Sequence, residues 1–156
     1  MPYYIEKQRF DYSLDHIRDD IASAKVGEGV VEIKGKKYST VGLRIAKLRE
    51  YFGTNISTEF IVHENTDDKV MVECRINLTL ETGPQFLANG FAEKKRSLNF
   101  ITKTAALEFC QTTALGRACA GLGIIGDHNI ASAEEIYGAK DDSDKKADVD
   151  VIWSNI

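Results

Sequence analysis

The sequence predicts an α+β domain in which an antiparallel β-hairpin and meander pack against a long C-terminal helix, with short helices on the flanks. Three observations carry this prediction. In residues 70–81, Val70, Val72, Cys74, Ile76, Leu78 and Leu80 alternate with Met71, Glu73, Arg75, Asn77, Thr79 and Glu81. Strict period-two alternation of that length requires a long antiparallel strand with one face on a core and the other wet. Residues 102–122 then switch to an alanine-rich stretch at helical spacing. Finally, the order helix, hairpin, helix, strands, long helix groups the strands instead of alternating them with helices.

Each element has its own signal. Phe10, Leu14, Ile17 and Ile21 recur at helical spacing over residues 10–24, leaving Arg18, Asp19 and Asp20 to face away. Residues 30–33 and 38–41 flank Lys34-Gly35-Lys36-Lys37, which reads as a β-hairpin with a basic tip. A second helix follows, with Val41, Ile45, Leu48 and Phe52 inward, Arg44, Lys47 and Glu50 outward, and Gly53 as its stop. Residues 56–63 form a strand and Asn65-Thr66-Asp67-Asp68 a turn into the alternating strand. Gly83-Pro84 turns the chain, residues 85–93 return, and Gly90 marks a bulge there. After the long helix, Ser132 and Glu135 have the spacing of a capping box opening a last helix over 133–139. The domain is expected to span 1–139, with an acidic, disordered tail over 140–156.

Composition narrows the classes. With 43% hydrophobic and 28% charged residues, the chain has the balance of a soluble globular protein. No apolar run approaches the ~20 residues needed to span a bilayer, so no membrane partner is expected. Cys74, Cys110 and Cys119 lie far apart with no CxxC or Cys/His cluster, which predicts reduced thiols, a cytoplasmic setting and no metal site. His16, His63 and His128 have no metal-ligand spacing, and the Asp127-His128 pair reads as a structural couple. No catalytic constellation and no cofactor are predicted. Gly121-Leu122-Gly123-Ile124-Ile125-Gly126 fits GxGxxG, but a helix precedes it where a dinucleotide fingerprint requires a strand.

The formal net charge of −4 weighs against a nucleic-acid partner, because phosphate neutralisation supplies most non-specific affinity. The charges are unevenly placed, however. Between residues 94 and 125, Lys94, Lys95, Arg96, Lys103 and Arg117 face one acid, Glu108, a local balance of +4. In the tail, Asp141, Asp142, Asp144, Asp148 and Asp150 outweigh Lys140, Lys145 and Lys146. On an ideal helix Lys103, Thr113 and Arg117 fall within about 80° of one another, and Lys103 to Arg117 spans roughly 21 Å. Ala106, Cys110 and Ala120 would fill this stripe with small side chains and leave the backbone approachable. Such a stripe suits tracking a phosphate backbone; a solvated basic face, or Arg117 paired to an acid, explains it equally. Lys36 and Lys37, beside Lys34 at the hairpin tip, make a second basic element or an ordinary solubilising turn. Tyr38, Tyr51 and Phe52 are candidate stacking aromatics, with core spacing for Phe52.

The stretch Thr102-Lys103-Thr104-Ala105-Ala106-Leu107-Glu108, then Thr112-Thr113-Ala114-Leu115-Gly116-Arg117-Ala118, Leu122-Gly123-Ile124 and Ile130-Ala131-Ser132-Ala133-Glu134-Glu135 resembles a segment of phage recombination proteins. These are single-strand annealing proteins of the Erf type, distantly similar in layout to the Rad-type annealing proteins of eukaryotes. The resemblance covers residues 102–139; upstream it rests on element order. It implies a homo-oligomer, ring or helical filament, that holds single-stranded DNA in a basic groove without a cofactor. It further implies annealing of complementary strands in phage homologous recombination and DNA repair, inside the bacterial host cell. Lys103 and Arg117 would belong to the groove, with Lys94, Lys95 and Arg96 beside them. A phage exonuclease or a host single-strand-binding protein would be a further partner. The chain departs from that family in being short and acidic. The alternative is a non-catalytic phage accessory or inhibitor protein that binds a host protein through its acidic surface and tail. A metal-dependent nuclease is a weaker rival, since Glu73 and Glu81 lack an accompanying Asp/Glu-x-Lys arrangement.

Overall fold

In a computed structural model describing residues 2–125 and 129–138, the chain adopts the predicted α+β arrangement. Helix α1 (Pro2–Ser23) is followed by a hairpin of β1 (Val30–Ile33) and β2 (Lys36–Ser39), then helix α2 (Val41–Phe52). Strands β3 (Ile56–Asn65), β4 (Lys69–Leu80) and β5 (Gly83–Lys95) form an antiparallel sheet in the order β3-β4-β5. Helix α3 (Phe100–Gly121) and the short α4 (Ala133–Gly138) complete it. The predicted acidic tail, Asp127 and His128 lie outside the described residues.

The inward row of β4 behaves as its alternation requires: Val70, Val72, Cys74 and Ile76 are fully buried. Leu14, Ile17 and Ile21 of α1, Leu48 of α2 and Ala106, Cys110, Ala114 and Ala118 of α3 meet them from the helical side. A second apolar cluster joins the hairpin to α4 through Val31, Ile33, Tyr38, Ala133 and Tyr137, with Ile101 at the start of α3 packed on it. The hairpin turns in two residues, Lys34 (φ 51°) and Gly35 (φ 78°), the paired positive φ of a type I′ turn.

Several elements depart from expectation for identifiable reasons. Gly90 is no bulge. It pairs regularly with Cys74, and the extra residues of the sheet sit at His63 and Leu87, where the register shifts. Gly90 is instead where α3 presses on β5: a Cβ there would meet Ala114 O at 2.4 Å and Ala118 N at 2.5 Å. The small residues Ala106 and Cys110 serve the same close approach and are buried against the sheet, so they expose no backbone to a ligand. The strand after the turn starts earlier than expected, with Pro84 already paired to Thr79 on the edge strand, where its missing N–H costs nothing in the ladder.

Two arginines read as outward-facing are structural. Arg44 is fully buried: Nε donates to Ser39 Oγ (2.8 Å), Nη1 to Gly116 O (2.8 Å), and Nη2 to Asn129 O and Ala131 O. It ties β2, α2, α3 and the segment before α4 together, and burial lowers its pKa. Arg18 donates from Nη2 (2.8 Å) and Nε (3.3 Å) to Leu122 O, placing a cation at the carbonyl end of α3 where the helix dipole favours one.

Candidate nucleic-acid interface

The junction of β5 and α3 concentrates the predicted cations. Asn99 caps α3, its side chain accepting from Thr102 N while Thr102 Oγ1 accepts from Asn99 N, a reciprocal capping box that fixes where the helix opens. The cap also donates from Nδ2 to Gly138 O (2.7 Å), which anchors the end of α4 to the start of α3. One turn on, Ala105 leaves helical geometry (φ −141°, ψ 41°) and kinks α3.

Lys103 precedes that kink and is exposed; Lys95 is exposed at the end of β5. Lys94 lies on the helical side of the sheet, opposite Val70, with its Nζ 5.0 Å from the centroid of the Phe109 ring, a cation–π contact. Arg96 reaches back to the β3–β4 turn: Nε donates to Thr66 O (2.7 Å), Nη2 donates to Asn65 Oδ1, and its backbone N–H donates to Asp68 O (2.8 Å). Among the described residues none of these four cations pairs with a carboxylate. Beside them a shallow groove is lined by Asp67, Arg96, Ser97, Leu98, Asn99, Phe100 and Lys103. Phe100 is 65% and Leu98 46% exposed. The sequence reading missed both. Their signal was two large apolar residues flanking Asn99 at a helix start, where no periodic pattern yet assigns a face.

Arg117 and Thr113 do not join this group. Arg117 is bonded through Nε and Nη2 to both oxygens of Glu135 (2.8 and 2.7 Å), a two-point pair that compensates its charge. Thr113 is buried, and its hydroxyl has no partner among the described residues, so it offers nothing to a ligand. The two lie close on the helix wheel, but only the longer side chain of Arg117 reaches past its neighbours to the surface. The kink at Ala105 also breaks the phase that placed Lys103 on their stripe.

Lys36 and Lys37 are exposed on β2, and Lys34 on the turn before it. Asn129 Nδ2 donates to Lys37 O (3.1 Å), which ties β2 to the segment before α4, whose Asn129 and Ala131 carbonyls share Arg44 with Gly116 O of α3. Of the candidate aromatics, Tyr38 is buried and Phe52 half-buried against Phe10, while Tyr51 is partly exposed and donates to Asp20 Oδ2.

The opposite face of the sheet holds a carboxylate that should be wet. Glu73 is 3% exposed, accepting hydrogen bonds from Arg75 Nε (2.9 Å) and Asn89 Nδ2 (3.1 Å) and bonded to His63 Nε2 (2.9 Å). Arg75 first, then Asn89 and His63, hold its pKa down to about 2. Those partners account for it as a structural ion pair. No group of three or more metal-ligating side chains gathers among the described residues, and no helix among them is long and apolar enough to cross a membrane. The three cysteines are free and buried, and burial pushes the thiols of Cys74 and Cys119 up to about 12.

No protein-family model matches the chain, and no curated protein matches it in sequence.

Proposed function

We propose that the chain binds single-stranded DNA at the basic end of α3 and, as a homo-oligomer, anneals complementary strands in phage homologous recombination in the bacterial cytoplasm. The observation that carries this reading is the groove at the start of α3, where Arg96 and Lys103, neither paired with a carboxylate among the described residues, lie beside exposed Phe100 and Leu98, with Lys94 and Lys95 at the adjoining end of β5. Cations that follow a phosphate backbone beside an aromatic on which a base stacks are the two ingredients of sequence-tolerant single-strand binding. The resemblance of residues 102–139 to Erf-type annealing proteins supports the same reading and supplies the annealing step.

Assembly reconciles the site with an acidic chain. Four cations per protomer give weak binding, but a ring or filament that aligns copies of the site raises the effective concentration of each contact after the first. Strands β3 and β5 both have an edge unpaired to any strand among the described residues, which leaves backbone donors and acceptors for a neighbour. In this reading the protein catalyses no covalent step and needs no cofactor, and a phage exonuclease or host single-strand-binding protein shares its substrate.

A second reading, a phage accessory protein that binds a host protein, is favoured by the open sheet face. There Phe86 (52% exposed) and Phe91 (54%) share a face with Glu59, Glu64 and Glu93, the last two bridged by Lys69. Mixing complementary labelled oligonucleotides with the protein, while following its mass by light scattering, separates the two. Annealing faster than the unassisted rate, with a rise to a multimer on adding single strands, is the expected outcome. An unchanged annealing rate with a DNA-independent mass would reject the proposal in favour of the accessory role.

A further inference from the structure

Between α2, α3 and α4 lies a cavity of about 360 Å³ whose walls are almost wholly apolar. Ile45, Ile101, Phe109 and Tyr137 supply most of its lining, and Ala105, at the kink of α3, forms part of its wall. It is large enough for one or two bulky side chains, at the lower end of the volumes that hold small ligands. Such an apolar surface left open to water is unfavourable, and a covering group would be stabilised by its burial.

The chain carries a segment of matching chemistry and reach. Beyond the described fold it continues through residues 139–156, and residues 149–156 hold Val149, Val151, Ile152, Trp153 and Ile156. The last described residues lie at the cavity itself. Tyr137 is a lining residue, and Gly138 is pressed so closely on the Phe109 ring that a Cβ there would lie 1.8 Å from Cζ. Ten residues, 139–148, then separate the fold from the apolar end, and they extend to about 33 Å at ~3.3 Å per residue. The charges also suit: Glu108 lines the cavity and Lys94 sits over Phe109, while Lys145, Lys146, Asp148 and Asp150 flank or enter the apolar end.

We infer that the apolar C-terminal end of this chain, residues 149–156 with Trp153 at its centre, docks in the cavity between α2, α3 and α4 of the same protomer. The inference is independent of DNA binding.

Trp153 is the only tryptophan of the chain, so its fluorescence reports the tail alone. The test uses the full chain, with acrylamide quenching and emission wavelength measured for wild type, Ile45→Ser and Thr112→Arg. These substitutions alter the lining from two different helices, and circular dichroism checks that each variant is folded. The expected result is a blue-shifted, poorly quenched wild-type emission that does not change on dilution. In both folded variants it should move towards the emission of the chain in denaturant, with quenching several-fold stronger. Three outcomes overturn the inference: wild-type emission and quenching equal to those in denaturant; protected emission indifferent to both substitutions; or protection lost on dilution, which would assign the docked tail to a second copy.

Discussion

Arg117 and Glu135 face each other across the α3–α4 contact as a two-point pair, with Nε–Oε1 at 2.8 Å and Nη2–Oε2 at 2.7 Å. The pair links the Gly116-Arg117-Ala118 step of α3 to the first turn of α4, and it directs the most conspicuous cation of the sequence to a structural partner. Phosphate binding by Arg117 would have to compete with a carboxylate already in place. Arg117→Gln should therefore leave affinity for single-stranded DNA within about twofold, whereas Lys103→Gln should lower it and reduce the salt slope by ~0.7, the value for one lost phosphate contact. Anisotropy titrations across a salt series check both.

Gly90 places the backbone of β5 against the backbone of α3, with Ala114 O and Ala118 N nearest to the position of a Cβ. Backbone atoms of a central helix cannot move aside as a flexible side chain does. Gly90→Ala should thus destabilise the fold by about 2–3 kcal/mol, the upper range for overpacking, and lower Tm by roughly 5–10 °C. Calorimetry or thermal circular dichroism measures this directly.

Arg44 is a buried cation whose partners among the described residues are a hydroxyl and three carbonyls, with no direct ion pair among those residues. Removing it leaves those acceptors without their donor. Urea unfolding of Arg44→Met should show a loss of about 3–5 kcal/mol. Arg44→Lys should recover only part, because one ammonium cannot span four acceptors that a guanidinium fork reaches together.

Glu73 makes stability depend on acid in a defined window. Its pKa is held at about 2 in the fold against an ordinary value of 4.5, so the native state favours the charged form. The contribution is fully present above about pH 4.5 and is lost as pH falls through 4.5 towards 2. The Tm difference between wild type and Glu73→Gln should be largest near neutral pH and shrink through that window. A constant difference from pH 7 to pH 2 would contradict the assignment.

The strength of a sequence signal here follows how much it depends on one element alone. The period-two run of β4 and the helical spacing of α2 and α3 are local, and the fold follows them closely. What a side chain does across elements is not local. Arg44 and Lys47 look alike on a helix wheel, yet only Arg44 points at the carbonyls of α3 and of the segment before α4. Glu73 sits on the predicted wet face and is nevertheless covered, because strand register brings His63 and Asn89 alongside it. The candidate site divides the same way. Arg96 and Lys103 are near in sequence and line one groove, whereas the stripe joining Lys103 to Arg117 assumed a straight helix that Ala105 interrupts. Phe100 and Leu98 became candidates only when the cap at Asn99 fixed where α3 begins.

Titration of a labelled single-stranded oligonucleotide with wild type and with Lys95→Glu/Lys103→Glu, at low and moderate salt, tests the central claim most directly. Wild type should bind at low salt and weaken on a linear log–log salt plot, by about 0.7 in slope for each phosphate contact. The double variant, folded by circular dichroism, should bind at least about tenfold more weakly with a shallower slope. No binding by wild type at low salt, or binding indifferent to both salt and the two charge reversals, would contradict a DNA-binding role for this end of α3.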